Sequence, residues 1–347
     1  WELLQLVQAL AAAGGAGRLV LLCPADGTSA ALAAGASKAV PLEYPELAVQ
    51  RVFLPAAADL LRSGGSFVGI ESVTQGWLGW LAAVAAEHTA ETDLWLDPAP
   101  PHAPLAPRLT PQPMPPSSSA PAVDPGGTYL ITGGSGGMGG ALVAWLLYEQ
   151  GVPPEQLILL SRRGGTSPHA GVRCVAADLS SAESLASCAE LSSLGAVTGI
   201  FHLAGVLDDG LILNMTRERL AKVVAPKAGL LPLLSLCASR GWEPDWVLAA
   251  SSTSSLLGYA GQANYCAANA LLDHAVTFGL PEGVCGGRVP PKLLTLNFGP
   301  WGEVGMAREG TKAHQLSLQS GELPMASSAA ISCIAEALRR RQAPPAT

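Results

Sequence analysis

The sequence predicts an α/β chain: a doubly wound parallel sheet in its C-terminal part, preceded by a smaller α/β unit. Three observations predict this. Apolar strand-like runs alternate with helix-period segments from residue 128 to residue 298. A glycine-rich turn joins the first of those strands to the first helix. Eleven prolines between positions 98 and 125 separate this block from the preceding one. Proline fixes φ and removes a backbone donor, so that stretch should be extended and irregular.

The expected organisation is therefore a structural unit over 1–97, a proline-rich connection over 98–127, a larger unit over 128–341 and a linker over 342–347. In the first unit, Leu3, Leu4, Leu6, Val7 and Leu10 have helical spacing, and residues 18–23 read as a strand. A helix follows at 30–39, a strand at 49–54 and a helix at 56–62. The turn after Cys23, Pro24-Ala-Asp-Gly-Thr28, has no glycine-rich phosphate loop, so this unit reads as structural.

In the second unit, strands are expected at 128–132, 156–161, 173–177, 199–203, 246–250 and 293–298. Helices are expected at 137–149, 182–191, 217–238 and 262–278. Val247-Leu-Ala-Ala250 is apolar without alternation, as a strand buried on both faces should be. Only residues 162–172 connect the second and third strands, and Pro168 and the glycines there are poor helix formers. Parallel strands need a crossover of about a dozen residues or more. The crossover helix is expected to be missing or reduced to a turn.

Composition limits the function classes. Of 347 residues, 49% are hydrophobic and 14% charged, as in a core-forming globular chain. A net charge of -7 argues against a nucleic-acid partner. The seven cysteines are scattered, with no CxxC pair, so neither a disulfide framework nor a metal site is expected, and reduced thiols suggest a cytoplasmic setting. The apolar stretch 77–86 is too short to span a bilayer, and no membrane partner is expected. The chain opens on Trp1 with no signal-peptide pattern, which reads as a piece of something longer.

Thr132-Gly133-Gly134-Ser135-Gly136-Gly137-Met138-Gly139 follows an apolar strand and opens a helix. It fits both GxGxxG and TGxxxGxG, the turn that lets backbone N–H groups approach a pyrophosphate. The fold class is thus a Rossmann-type doubly wound sheet preceded by a degenerate Rossmann-like structural subdomain. At the end of the second strand, an acid would select NAD by binding the ribose hydroxyls. This chain has Ser161, Arg162 and Arg163, which suit the 2′-phosphate of NADPH. Asp178, with Leu179 after it, could accept from the adenine amino group, or could cap the next helix.

Ser252, Tyr265 and Asn269 lie on one stretch. Ser252 ends the fifth strand, where open α/β sheets bind ligands, and Tyr265 and Asn269 are i, i+4 on the next helix. Reduction of a carbonyl needs a proton donor. A free Tyr, pKa ~10, needs help that a nearby ammonium would give. Asn269 occupies the position four residues after Tyr265, so Lys227, on the preceding helical segment, is the candidate.

These residues, with Leu160-Ser-Arg-Arg-Gly164, residues 202–210, Pro226-Lys227, residues 262–269, Asn297-Phe-Gly-Pro-Trp301 and residues 304–307, resemble the ketoreductase domains of modular polyketide synthases, within the short-chain dehydrogenase/reductase family. The first unit resembles their structural subdomain through residues 42–47 and 107–109. The resemblance implies Tyr265 as proton donor, Ser252 as carbonyl orienter, Lys227 as the group that tunes Tyr265, and Asn269 as support. It implies Ala204 and Gly205 beside the cofactor, Leu207, Asp208 and Asp209 as the motif of the B type, which yields a D (3R) alcohol, and a lid over 304–316 anchored by Trp301. The implied partner is an acyl carrier protein whose phosphopantetheine holds a β-ketoacyl chain, alongside neighbouring domains of the same synthase. Ala249-Ala250 and Leu203 depart from the pattern, and the lost crossover helix could loosen the adenine pocket. A fatty-acid-type or free-standing reductase and a catalytically silent scaffold domain are the alternatives.

Overall fold

The computed structural model describes residues 1–24, 27–54, 91–96, 104–111, 121–305, 308–319 and 321–340. The helix expected at 56–62 and the apolar stretch 77–86 lie outside the described residues. Helix α1 (Glu2–Ala12), strand β1 (Gly17–Pro24), helices α2 (Thr28–Ser37) and α3 (Val40–Glu43), and strands β2 (Leu47–Leu54), β3 (Asp93–Leu96) and β4 (Pro104–Leu105) form the first unit. Its sheet runs β1-β2-β3-β4, parallel except for antiparallel β4, which comes from the proline-rich stretch.

The second sheet holds β5 (Tyr129–Thr132), β6 (Leu157–Ser161), β7 (Arg173–Ala176), β8 (Gly199–His202), β9 (Trp246–Ser252) and β10 (Lys292–Phe298) in the order β10-β9-β8-β5-β6-β7, with every pair parallel. Alternate residues of β5 serve opposite faces. Tyr129 and Ile131 join Leu142 and Leu146 of α4 (Gly137–Tyr148), and Leu130 joins Leu185 and Leu233 on the other side. Burial on both faces explains the unbroken apolar runs of these strands. The chain reverses its winding between β5 and β8, where ligands bind in such sheets.

Residues 162–172 carry no helix. They turn, and His169 Nδ1 meets the Tyr148 hydroxyl at the end of α4. The helix expected at 182–191 breaks at Cys188, whose ψ of 109° is extended, into α5 (Ala182–Ser187) and α6 (Ala189–Ser192). The helix expected at 217–238 is divided at Gly229 into α7 (Arg217–Ala228) and α8 (Leu230–Arg240). Together α7 and α8 are long and apolar enough to cross a membrane by length and composition alone, unlike 77–86. Instead α8 buries Leu230, Leu233, Leu234 and Cys237 against the second sheet. The remaining helices are α9 (Ser254–Leu257), α10 (Ala263–Phe278), α11 (Lys312–Gln319) and α12 (Ser327–Arg340).

The two units share a core. Leu4, Val7, Ala36, Ala39 and Val40 of the first unit pack with Ile212, Met215, Ala263 and Ala267 of the second. Helix α2 lies so close to α10 that a Cβ on Gly35 would stand 2.5 Å from the Cys266 carbonyl oxygen and 2.8 Å from the Ala267 Cα. Trp95 of β3 stacks on Phe278 at 5.2 Å. The first unit is thereby a buttress along the helix that carries Tyr265 and Asn269.

Candidate active site

The dinucleotide end is built where β5 and β8 stop. Gly133 has φ of 70°, in the left-handed region that side chains avoid, and a Cβ there would lie 2.9 Å from the Ala204 nitrogen. The turn thus presses directly on the start of the loop after β8. A Cβ on Gly139 would lie 2.5 Å from Gly134, so the first turn of α4 sits tight against the glycine loop. Gly136 caps α4 in an extended conformation with no side-chain hydrogen bond, and Ser135, Gly136 and Gly137 are exposed. The Gly136 N–H closes the turn on the Gly133 carbonyl at 3.0 Å, and the loop stands at the positive end of α4, which fits a pyrophosphate.

Beneath this loop runs a buried chain of hydrogen bonds. The Ala204 N–H donates to Thr132 Oγ1 at 3.2 Å, Thr132 Oγ1 meets His202 Nδ1 at 2.9 Å, and His202 Nε2 meets the Lys227 carbonyl at 3.1 Å. A carbonyl only accepts, so Nε2 carries the proton and Nδ1 accepts from Thr132. Burial, then the neighbouring Lys227 charge, lowers the His202 pKa to about 3, so it stays neutral. This chain ties the cofactor loop to the helix that carries Lys227.

At the end of β6, Arg162 and Arg163 are exposed and Ser161 Oγ donates to the Gly164 carbonyl at 2.7 Å. Arg162 helps hold the Asp178 carboxyl below its usual range, after the hydrogen bonds from Ser180. Asp178 Oδ1 accepts from both the Ser180 N–H and Oγ, so this carboxylate closes a turn, while Ser181 caps α5. Leu179 is buried beside Gly229.

Ser252, Tyr265 and Asn269 come together at the C-terminal end of β9. Burial raises the Tyr265 pKa, while the neighbouring Asn269 and Ser252 side chains favour the phenolate and the nearby Asp209 charge opposes it. The phenol therefore holds its proton at neutral pH. Ser252 Oγ accepts from the Ser254 N–H at 3.2 Å, which leaves its own proton for another acceptor. Asn269 Nδ2 donates to the Tyr265 carbonyl at 2.9 Å, and its buried Oδ1 has no partner among the described residues.

Lys227 is held by the backbone of β9. It is buried in the same region, with its stem packed beneath Gly205, but its ammonium donates to the Ala250 carbonyl. No hydrogen bond from Lys227 to Tyr265 occurs among the described residues. Burial lowers its pKa to about 8, against the pull of the Asp273 charge. Asp273, two turns along α10 from Tyr265, is itself buried, with its pKa raised by burial; it accepts from Ser255 Oγ and from Asn297 Nδ2 at 2.9 Å. Sequence reasoning missed it. Asn297, inside a quoted motif, was the available signal.

The Leu207-Asp208-Asp209 segment is tied to two basic side chains. Arg219 donates to Asp208 Oδ1 at 2.9 Å and to the Asp209 carbonyl at 2.7 Å, and Lys222 pairs with Asp208 Oδ2 at 2.9 Å. These two cations, through hydrogen bonds above all, hold the Asp208 carboxyl below its usual range. Asn264 Nδ2 donates to the Asp208 carbonyl at 2.8 Å, and Gln262 Nε2 to Asp209 Oδ2 at 3.0 Å. Asp208 thus organises the loop, and the Asp209 charge lies near enough to Tyr265 to oppose its ionisation. Trp301 is buried against Phe298. Within the expected lid, α11 is helical, Val304 and Gly305 lie against Gly137, and residues 306 and 307 are outside the described residues.

A glycine cradle at the switch point of a parallel sheet, with a Ser–Tyr pair one strand further on, defines an oxidoreductase of the short-chain dehydrogenase/reductase type. The sequence model of the KR domain family matches residues 127–302, and the chain belongs to the ketoreductase domains of polyketide synthases. It is 39% identical over 241 residues to polyketide synthase GfsB of Streptomyces halstedii, covering 63% of this chain and 4% of that protein. It is 35% identical to pikromycin polyketide synthase component PikAII of Streptomyces venezuelae over 240 residues, covering 63% of this chain and 6% of that protein. The chain thus spans only a few per cent of these curated relatives. A solved A1-type ketoreductase aligns with TM-score 0.76 and 27% identity, over 97% of this chain and 70% of that one. The ketoreductase from the first module of phoslactomycin biosynthesis in Streptomyces sp. HK803 aligns with TM-score 0.75 and 25% identity, over 97% and 75%.

Proposed function

We propose that this chain uses NADPH to reduce a β-ketoacyl thioester, held on the phosphopantetheine arm of an acyl carrier protein, to the D (3R) β-hydroxyacyl thioester. The observation that carries the reading is the Tyr265 hydroxyl, kept protonated beside Ser252 and Asn269 at the end of β9. A bound NADPH supplies the hydride. Ser252 donates a hydrogen bond to the ketone oxygen and orients it. Tyr265 donates its proton as that oxygen becomes an alkoxide, and the Asn269 side chain favours the phenolate left behind. The Lys227 ammonium acts through the field it adds below the site, not through a direct bond.

Glycines 133, 134, 136, 137 and 139, with Ser135 and Met138, would hold the pyrophosphate, and Ala204 and Gly205 would border the nicotinamide side. Exposed Arg162 and Arg163, with no acid at the end of β6, support the 2′-phosphate over a ribose hydroxyl. Leu207, Asp208 and Asp209 support the B type, with residues 304–316 as the lid. The same reading divides the chain into a structural unit over 1–97, a connection over 98–127 and a catalytic unit over 128–341. It places the chain in the cytoplasm among neighbouring domains of a synthase, which the seven free cysteines suit.

The test is NADPH oxidation at 340 nm with a carrier-bound β-ketoacyl chain, repeated with NADH, and chiral analysis of the alcohol. Turnover that favours NADPH and yields the D alcohol supports every part. An L alcohol removes the B-type assignment. NADPH binding without any turnover favours a silent scaffold domain.

A further inference from the structure

The carboxylate of Glu43, at the end of α3 in the first unit, accepts from two backbone N–H groups far along the chain. Oε2 takes the Ile212 N–H at 2.6 Å and Oε1 the Gly261 N–H at 2.8 Å. Those two groups belong to the two loops that meet over the site. The Gly210 N–H donates to the Gly261 carbonyl at 2.7 Å, which closes the link between them. Ile212 is held from its other side as well, because Gln8 Nε2 of α1 donates to its carbonyl at 2.7 Å. Gly261 stands four residues before Tyr265, and Gly210 directly follows Asp209.

We infer that Glu43 is a positioning residue: it sets where the 207–212 loop stands relative to Tyr265, and so fixes how the ketone is presented. The inference rests on the reductase reading given above. A carboxylate suits the task because it offers two acceptor oxygens to two converging donors, and hydrogen bonds to a charged group are stronger than neutral ones. No other acidic side chain of the first unit reaches the second unit's backbone among the described hydrogen bonds. The structural unit therefore reaches the site loops through this carboxylate, with Gln8 beside it, beyond the packing of α2 along α10.

The test uses the full chain with Glu43→Gln, which keeps the shape but turns an amide donor toward N–H donors, and Glu43→Asp, which keeps the charge but is too short to reach both. Amide hydrogen exchange, read on peptides covering 208–214 and 259–263, needs no turnover. Exchange in those peptides is expected to rise about tenfold in Glu43→Gln and less in Glu43→Asp, with NADPH affinity unchanged. With a carrier-bound β-ketoacyl substrate, KM rises and the minor alcohol epimer increases about fivefold in Glu43→Gln, with partial rescue in Glu43→Asp. Unchanged exchange in both peptides overturns the inference. So does faster exchange with unaltered KM and epimer ratio, which would leave Glu43 a structural tie only. If the unsubstituted chain reduces nothing, the reductase reading fails by itself, and the exchange result still decides whether Glu43 holds the two loops.

Discussion

The β1–α2 turn and the β5–α4 turn begin as the same device: a parallel strand that feeds a helix. After β5, glycines press the loop against Ala204 and leave Gly136 as an open helix cap. After β1, Gly27 precedes α2 with no phosphate-type loop, and α2 instead buries Ala31, Ala34, Gly35 and Ala36. One helix offers its end to a ligand, whereas the other offers its side to α10. The topology is shared, and turn chemistry together with the buried face decides which unit binds and which supports.

Each half of that contrast can be broken separately. Gly133→Val puts a β-branched residue at φ 70° and a Cβ against Ala204, and should weaken NADPH binding about 100-fold by titration fluorescence. Gly27→Ala, at the matching turn of the first unit, should leave NADPH affinity unchanged, since its Cβ would meet neighbours only at 3.4 Å. Lys227→Met should lower kcat about 100-fold. In the unsubstituted chain, kcat/KM should fall as pH rises through about 8, where Lys227 loses its charge, and the variant should lack that alkaline limb. Gly35→Leu should cost about 3 kcal/mol of stability in denaturant unfolding, because α2 and α10 cannot separate without losing their shared core. A further effect, confined to acid pH, concerns His202. Its folded pKa, about 3, lies below the ordinary 6.5, so the unfolded chain binds a proton that the folded chain refuses. Stability present above pH 6.5 should therefore drain away as pH falls toward 3, and melting curves of His202→Gln should show a shallower acid slope.

The parts legible in the sequence were those with a local signature. The glycine turn, the six parallel strands, the missing crossover helix and the Ser252–Tyr265–Asn269 spacing each follow from neighbouring residues. The break at Cys188 was not legible, because only the backbone there, not the residue types, departs from the helix. Lys227 was found as a residue, but its bond to the Ala250 carbonyl depends on how α7 crosses β9. Glu43 lies inside the quoted 42–47 stretch, but its role was not legible, and Arg219 left no trace, for a related reason. Glu43 binds backbone N–H groups 169 and 218 positions away, and Arg219 largely binds backbone carbonyls. Backbone partners carry no side-chain signal. Asp208 was legible as part of the 207–209 motif, but its two cations were not, because Arg219 and Lys222 stand 11 and 14 positions away.

The central claim is that reduction depends on the Tyr265 proton while binding depends on the β5–α4 cradle. It is tested most directly with Tyr265→Phe, by measuring NADPH affinity and single-turnover reduction of a carrier-bound β-ketoacyl chain in the same preparation. The account predicts unchanged NADPH affinity with reduction slowed at least about 100-fold. Reduction at the original rate would contradict it, because the proton would then come from elsewhere.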